Sequence, residues 1–534
     1  MTINAKTLFD PSLEKDNCGF GLIAQRNGKR SRKLVKKSIL GLTSMTHRGA
    51  IGADGKTGDG CGLLFDLNHS FFKLKVGGEL DVELPDFFAV AQLFHKNDID
   101  FYYSSIRKFL NSQDLDIAVT RSVPVNNEVL GKIARQNLPN ISQVFITSKN
   151  TNLNKERFEA CLLQARKFIE EKFDNDEEFY VCSMSTQTIV YKGLMLPSAI
   201  DEFYLDLKDK KFEAKICLFH QRFSTNTLPR WHLAQPFRLL AHNGEINAIR
   251  GNRNWAKARK SKFSTALIPE ITTFKNLVNE KGSDSSALDN MIEILVKGGI
   301  NTFRALRMVL PPAWQNIHMM DPEIKSFHEY NSMHMEAWDG PAGIVMSDGR
   351  WAICLLDRNG LRPARYQIDS EGYVTIASEI GVFPQDESNF ITKGRIGAGG
   401  IFAIDTETGE LIDQSIIDNK LKEGKPYRAW LRSKAKYLES SLYNYAGSGI
   451  KLISSVDLNK ASKYFMLYTE ERQSVIKPLA MDSSEGTGSM GDDTALAVVS
   501  SMPRQIYDFF RQQFAQVTNP PIDSLRESAV MSLE

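Results

Sequence analysis

From position 338 to 381 the chain reads as one strand after another, joined by turns at Ser347-Asp348-Gly349 and Asp357-Arg358-Asn359-Gly360. Gly and Asp at such points supply the left-handed backbone and the side-chain-to-backbone hydrogen bonds that a tight reversal needs. Consecutive strands make a sheet, and a sheet must bury a face, so this region alone demands a layered architecture. Further strand-like segments lie at 20–24, 63–65, 87–95, 179–191 and 214–223. Helical spacing joins Leu34, Val35, Ile39, Leu42 and Met45, so the basic run 26–37 reads as the solvated start of a helix. A second apolar stripe, Leu288, Met291, Ile292, Leu295 and Val296, is stopped by Gly298-Gly299. Another helix, 302–310, ends at Pro311-Pro312. Positions 98–173 alternate helix-like and strand-like segments and read as an α/β insertion. Around 420–426 the composition turns charged and a helix-rich segment follows from Trp430, which makes this the expected domain boundary.

At 534 residues the chain exceeds one ordinary core. Lys plus Arg number 66 against 64 Asp plus Glu, a balance that argues against a dedicated nucleic-acid binder. The six cysteines (Cys18, Cys61, Cys161, Cys182, Cys217, Cys354) stand singly, which gives neither a disulfide framework nor zinc-site spacing and fits a reducing compartment. No apolar run reaches the length of a membrane span. Residues 1–17 lack the apolar core of a secretory signal, and Asp10, Glu14 and Asp16 make them too acidic for a transit peptide. The expected location is cytoplasmic.

Two tempting motifs fail on spacing. Gly55-Lys56-Thr57 is no phosphate loop, because the glycine required five positions earlier is Ala50. Gly60-Cys61-Gly62 lacks the third glycine of a dinucleotide fingerprint. Three other features stand out. Cys18 is either a small buried hydrophobe or, once 1–17 are removed, an N-terminal nucleophile whose own α-amine acts as base. Asn243-Gly244 is a hairpin turn, or the material of an oxyanion hole, or both. Asp284 at a helix start is adequately explained as a cap.

The motifs Asn17-Cys18-Gly19-Phe20-Gly21, His47-Arg48-Gly49-Ala50, Thr57-Gly58-Asp59-Gly60, Arg222-Phe223-Ser224-Thr225-Asn226-Thr227, His242-Asn243-Gly244-Glu245-Ile246-Asn247, Ser283-Asp284-Ser285 and Leu356-Asp357-Arg358-Asn359-Gly360-Leu361-Arg362-Pro363 occur in that order. Taken together they resemble the N-terminal part of the large subunit of the glutamate synthases. On that resemblance 1–17 is a propeptide and 18–425 a class II glutamine amidotransferase domain. Positions 426–534 are then a linker and the beginning of a truncated central domain, carrying Gly488-Ser489-Met490-Gly491-Asp492-Asp493 and Phe514-Ala515-Gln516-Val517-Thr518-Asn519-Pro520-Pro521.

The fold implied is α+β, a four-layer αββα N-terminal nucleophile hydrolase sandwich followed by a partial α/β central domain. The roles implied are Cys18 as nucleophile on the glutamine amide, and Asn243 and Gly244 as the oxyanion hole. Arg222 would hold the substrate carboxylate and Asp284 its ammonium, with Arg48 a further substrate-binding candidate. The products are glutamate and ammonia, the latter for reductive amination of 2-oxoglutarate elsewhere. No metal or cofactor is expected in this chain. FMN and an iron–sulfur cluster belong to the missing synthase domains, and an NADPH-dependent small subunit or ferredoxin would donate electrons. The chain is then a piece of a longer enzyme or one product of a split gene. Two rivals stay open. One is another class II amidotransferase, such as that feeding phosphoribosylamine synthesis, which needs a paired-acid phosphoribosyl-pyrophosphate loop that is absent from the sequence. The other is a catalytically silent or regulatory glutamine-binding fragment.

Overall fold

The computed structural model describes residues 18–150, 153–222, 229–317, 319–383, 389–437, 457–465, 467–483, 497–506 and 509. The chain divides into two compact units, with the break between Lys434 and Ala435. In the first, the strands are β1 (Gly19–Gln25), β2 (Cys61–Asp66), β3 (Ala89–His95), β4 (Leu115–Ser122), β5 (Asn140–Ser148), β6 (Tyr180–Ser185), β7 (Thr188–Gly193) and β8 (Ile216–Gln221). They continue with β9 (Leu240–Gly244), β10 (Ala342–Ser347), β11 (Trp351–Leu356), β12 (Arg365–Asp369), β13 (Tyr373–Ala377), β14 (Phe390–Arg395), β15 (Ile401–Asp405) and β16 (Leu411–Ile412). Its helices are α1 (Arg32–Ser44), α2 (His69–Leu80), α3 (Ile99–Asn111), α4 (Lys132–Gln136), α5 (Lys155–Lys172) and α6 (Ile200–Phe203). After these come α7 (Ile249–Arg259), α8 (Asp284–Lys297), α9 (Thr302–Val309), α10 (Pro322–Ser332), α11 (Gln414–Glu423) and α12 (Tyr427–Lys434).

Three sheets form, of order β14-β12-β13-β1-β8-β2-β7, β16-β15-β11-β10-β9 and β4-β5-β3-β6. Alternation along the strands decides what each face touches. Phe20, Leu22 and Ala24 of β1, Ile216 and Leu218 of β8 and Leu64 of β2 share one core with Ala241 of β9, Val345 of β10 and Ala352, Cys354 and Leu356 of β11. The seven- and five-stranded sheets therefore lie face to face. The opposite face of the first buries Ile23, Leu63, Phe65, Cys217 and Phe219 beneath Leu34, Val35 and Leu42 of α1. The opposite face of the second buries Leu240, Ile344, Met346, Ile353 and Leu355 beneath Leu288, Met291 and Ile292 of α8 and residues of α9 and α10. The result is an αββα sandwich. Each fully buried large apolar side chain in it contributes about 1.5–3 kcal/mol.

The insertion is a sheet of its own. One face of β3–β6, through Val90, Phe94, Phe145 and Cys182, joins the α1 core. Its other face packs on α3 and α5 through Ala89, Ala91, Tyr102, Ile106, Leu162 and Ala165. The outer cover of the seven-stranded sheet is thus part helix and part sheet. In the second unit the described residues form short helices, Leu458–Tyr464, Thr469–Glu471 and Lys477–Asp482. The segment 1–17, read as a propeptide, lies outside the described residues, as do the motifs at 488–493 and 514–521. Among the described residues no helix is long and apolar enough to cross a membrane.

Two expectations are corrected. Asn243-Gly244 is not a turn: both residues lie in β9, opposite Gly343 and Ala342 of β10. The glycine is required there by φ +136° and by the carbonyl of Pro341, which a Cβ would approach to 1.7 Å. Asp284 is not the cap of α8 either. Ser283 is, its hydroxyl accepting from Ser286 N–H at 3.1 Å, and this leaves the Asp284 carboxylate to work elsewhere.

Candidate active site

The register of three neighbouring strands assembles the first half of the site. Gly19 of β1 pairs with Gln221 of β8, which pairs with Cys61 of β2. Cys18 and Arg222 therefore leave adjacent strands at the same end, and Arg222 N–H donates to Gly60 O at 2.8 Å. Phe20 and Leu218 face the inter-sheet core. Two-residue alternation puts Cys18 and Arg222 on that same face. Cys18 is half-buried, whereas the other five cysteines are buried. Burial pushes the Arg222 guanidinium below its usual value, and the negative groups opposing that shift are Cys18 and Asp59. The Asp59 carbonyl also accepts from Arg222 Nη1 at 3.4 Å.

The five-stranded sheet supplies the second half. Ala241 faces the inter-sheet core, so Asn243, two residues on, does too. Its partner Gly343 lies against the ring of Phe20, 2.8 Å from where a Cβ would stand. Asn243 thus enters the layer beside the residue two after Cys18. The sheets are also tied by hydrogen bonds at this end. His220 of β8 donates through Nε2 to the carbonyl of His242 at 3.1 Å, which fixes its tautomer. Burial drives His220 down to about 3, so it stays neutral. Gln235 brackets the same peptide, accepting from His242 N–H at 2.8 Å and donating to His242 O at 3.2 Å.

Helix α8 holds β9 from behind at three points. Asp289 accepts the N–H groups of Leu239 (2.8 Å), Leu240 (3.2 Å) and Arg238 (3.3 Å) at the strand's entry. In the middle, Ser285 Oγ donates to Asp284 Oδ1 at 3.1 Å, which leaves it to accept from His242 Nδ1 at 2.9 Å. Beyond the strand, Asp284 Oδ2 accepts from Ile246 N–H at 2.7 Å. Asp284 is therefore tied to the segment that follows Asn243-Gly244, with its negative charge at the N-terminus of α8.

Arg48 lies against Gly19, where a Cβ would stand 3.1 Å from Arg48 Cγ. Its Nε donates to Glu379 Oε2 at 2.8 Å. Among the described residues no grouping of three or more His, Cys, Asp or Glu is arranged to hold a metal. The stretch 223–227, part of the arginine motif, lies outside the described residues. Sequence reading missed Glu379, His220, Ser285 and Asp289. None has a local signature, since each acts through a partner far along the chain.

The family model for "Glutamine amidotransferases class-II" matches residues 18–430, and that for "Glutamate synthase central domain" matches 460–534. The chain is 38% identical over 548 residues to glutamate synthase [NADH] of Saccharomyces cerevisiae, covering 99% of this chain and 25% of the relative. It is 38% identical over 537 residues to the glutamate synthase [NADPH] large chain of Azospirillum brasilense, covering 98% and 35%. Ferredoxin-dependent glutamate synthase 1 of Arabidopsis thaliana is likewise 38% identical, over 98% of this chain and 32% of the relative. The chain thus spans about a quarter to a third of these relatives' length. Among solved structures, an allosteric regulatory enzyme of purine biosynthesis aligns with a TM-score of 0.32 at 13% identity, over 74% of this chain and 48% of that one. With a class-II amidotransferase model matched across the whole of its sandwich, the chain belongs to the class-II glutamine amidotransferases.

Proposed function

We propose that this chain hydrolyses glutamine at Cys18 and supplies the ammonia to the reductive half of a glutamate synthase. The observation that carries this reading is the convergence, by strand alternation, of Cys18 and Arg222 from one sheet and Asn243 from the other on the inter-sheet layer. In the mechanism the Cys18 thiolate attacks the side-chain amide carbon. The base is the α-amine that removal of 1–17 would free. The tetrahedral oxyanion forms against the Asn243 side chain and the Gly244 N–H. Ammonia leaves with the proton the amine took, and water then releases glutamate from the thioester. Arg222 presents a planar cationic fork to the substrate carboxylate, and Asp284 an anion to its ammonium. Arg48 borders the nucleophile's backbone and is the weaker substrate ligand, since Glu379 already engages its guanidinium.

A flavin and an iron–sulfur cluster would carry electrons to the imine made from 2-oxoglutarate and this ammonia. The six cysteines stand singly, without the close spacing that iron–sulfur ligation uses. That chemistry is assigned to further synthase domains or a partner polypeptide, with a nicotinamide-dependent subunit or ferredoxin as donor. The place of work is the cytoplasm, in ammonia assimilation.

The test is Cys18→Ala. Glutamate release and labelling by a glutamine-like diazoketone fall to background, and intact mass of the unsubstituted, active chain gives a first residue at Cys18. Undiminished glutaminase activity in the variant overturns the nucleophile, and retained 1–17 on active protein overturns the amine as base.

A further inference from the structure

The His47–Arg48 turn is wedged between the two strand ends that carry the reacting groups. A Cβ on Gly19 would stand 2.8 Å from Met45 Sδ and 3.1 Å from Arg48 Cγ. A Cβ on Gly49 would stand 1.7 Å from Gln221 Nε2 and 3.1 Å from Arg222 O. The turn therefore touches the residue after Cys18 on one side and Arg222 on the other, and an anchor is needed to hold it there.

That anchor comes from β13. Ser378 closes the strand on Phe20, donating its N–H to Phe20 O at 2.9 Å and accepting from Phe20 N–H on Oγ at 3.2 Å. The next residue, Glu379, emerges beside Gly19. Its Oε2 accepts from Arg48 Nε at 2.8 Å and Nη2 at 2.5 Å, and its Oε1 lies 2.8 Å from His47 Nε2. The Glu379 and Arg48 side chains are 17% and 23% exposed, so water screens them only in part.

We infer that Glu379 is a positioning residue for the nucleophile, one that pins the His47–Arg48 turn against Gly19. This rests on the reading of Cys18 as nucleophile. The charged and titratable groups at that end are Arg222 from β8 with Asp59 before β2, and Arg48, His47 and Glu379 from the turn and the end of β13. Alternation puts Cys18 on the inter-sheet face and the Arg48 contact with Gly19 on the α1 face, so Glu379 acts on the nucleophile through the backbone of Gly19. Removing the carboxylate charge frees the turn, and the site turns over more slowly. Misplacement by about 1 Å costs on the order of a hundredfold in rate.

The experiment compares the full chain with its Glu379→Gln and Glu379→Asp variants. The readouts are kcat and KM for glutamine hydrolysis, with the urea midpoint of tryptophan fluorescence as a check on folding. In Glu379→Gln, kcat falls about tenfold or more with KM little changed and the urea midpoint unmoved. Glu379→Asp keeps the charge and recovers most of kcat. An unchanged kcat in Glu379→Gln, or an equal fall in Glu379→Asp, overturns the inference. Failure of the unsubstituted chain to hydrolyse glutamine would count against the proposed function instead.

Discussion

The two sheets bring opposite kinds of material to the site. At the rim of the seven-stranded sheet, Cys18 is half-buried and Arg222 follows a strand end, with the neighbouring turn held by the Arg48–Glu379 ion pair. At the edge of the five-stranded sheet, Asn243 is 5% exposed and its strand is locked by β10 on one side. From the helix layer, Asp284, Ser285 and Asp289 lock it again. The difference matches what the proposed roles require of each half in acyl transfer. A nucleophile and a substrate anchor must admit a ligand and move slightly as bonds change. Oxyanion donors gain their worth from being fixed before the charge appears.

The rigid half should therefore show the larger loss in the chemical step among substitutions that leave Cys18 in place. Asn243→Ala removes one oxyanion donor, and kcat for glutamine hydrolysis falls about a hundred- to a thousandfold with KM little changed. Steady-state kinetics with the two constants resolved checks this. A fall confined to KM would move Asn243 from charge stabilisation to substrate binding and erase the contrast between the sheets.

The half at the rim of the seven-stranded sheet should fail differently. Arg222→Lys keeps the charge but replaces a planar fork by a point charge, losing one charge-assisted hydrogen bond to the substrate carboxylate. Such a bond is worth about 1.5–3 kcal/mol, so KM rises roughly ten- to a hundredfold while kcat changes less. Equal loss in both constants would mean that Arg222 acts in the transition state, on the same footing as Asn243.

How much of this was legible in the sequence depends on the range of the interaction involved. Strands 19–25 and 342–356 and the stripe of α8 were readable because alternation and helical spacing are local. Cys18, Arg222, Asn243, Gly244 and Asp284 were named through the order of their motifs, and strand register explains why that order matters. The error over Asn243-Gly244 has a specific cause. An Asn-Gly pair between apolar runs is ordinarily a two-residue turn, and only β10, a hundred residues later, makes it a strand. Glu379, His220 and Asp289 were invisible for the same reason, since each works on a residue at least twenty positions away. Asp284 was half-read. A helix-start aspartate suggests a cap, but Ser283 takes that role, which frees the carboxylate for Ile246.

The smallest expected effect on turnover, and the sharpest on pH, lies at the back of the rigid half. Asp289 is fully buried, and burial together with neighbouring Glu293 pushes its carboxyl up to about 6 despite Arg238 and its three N–H donors. The unfolded value is about 3.9. Because the folded value is the higher one, the native state binds this proton first as pH falls. The associated stabilisation is fully present below about pH 4 and is lost as pH rises through about 6. The shift corresponds to about 2–3 kcal/mol. Asp289→Asn cannot titrate, so the stability of the unsubstituted chain relative to the variant should fall by that amount between pH 4 and pH 7. All six tryptophans lie at or before Trp430, so intrinsic fluorescence in urea follows the first unit alone. A difference that stays level with pH would mean that Asp289 remains ionised throughout, held so by Arg238 and the three β9 N–H groups. The clamp behind the oxyanion strand would then be a permanent charge rather than a titrating one.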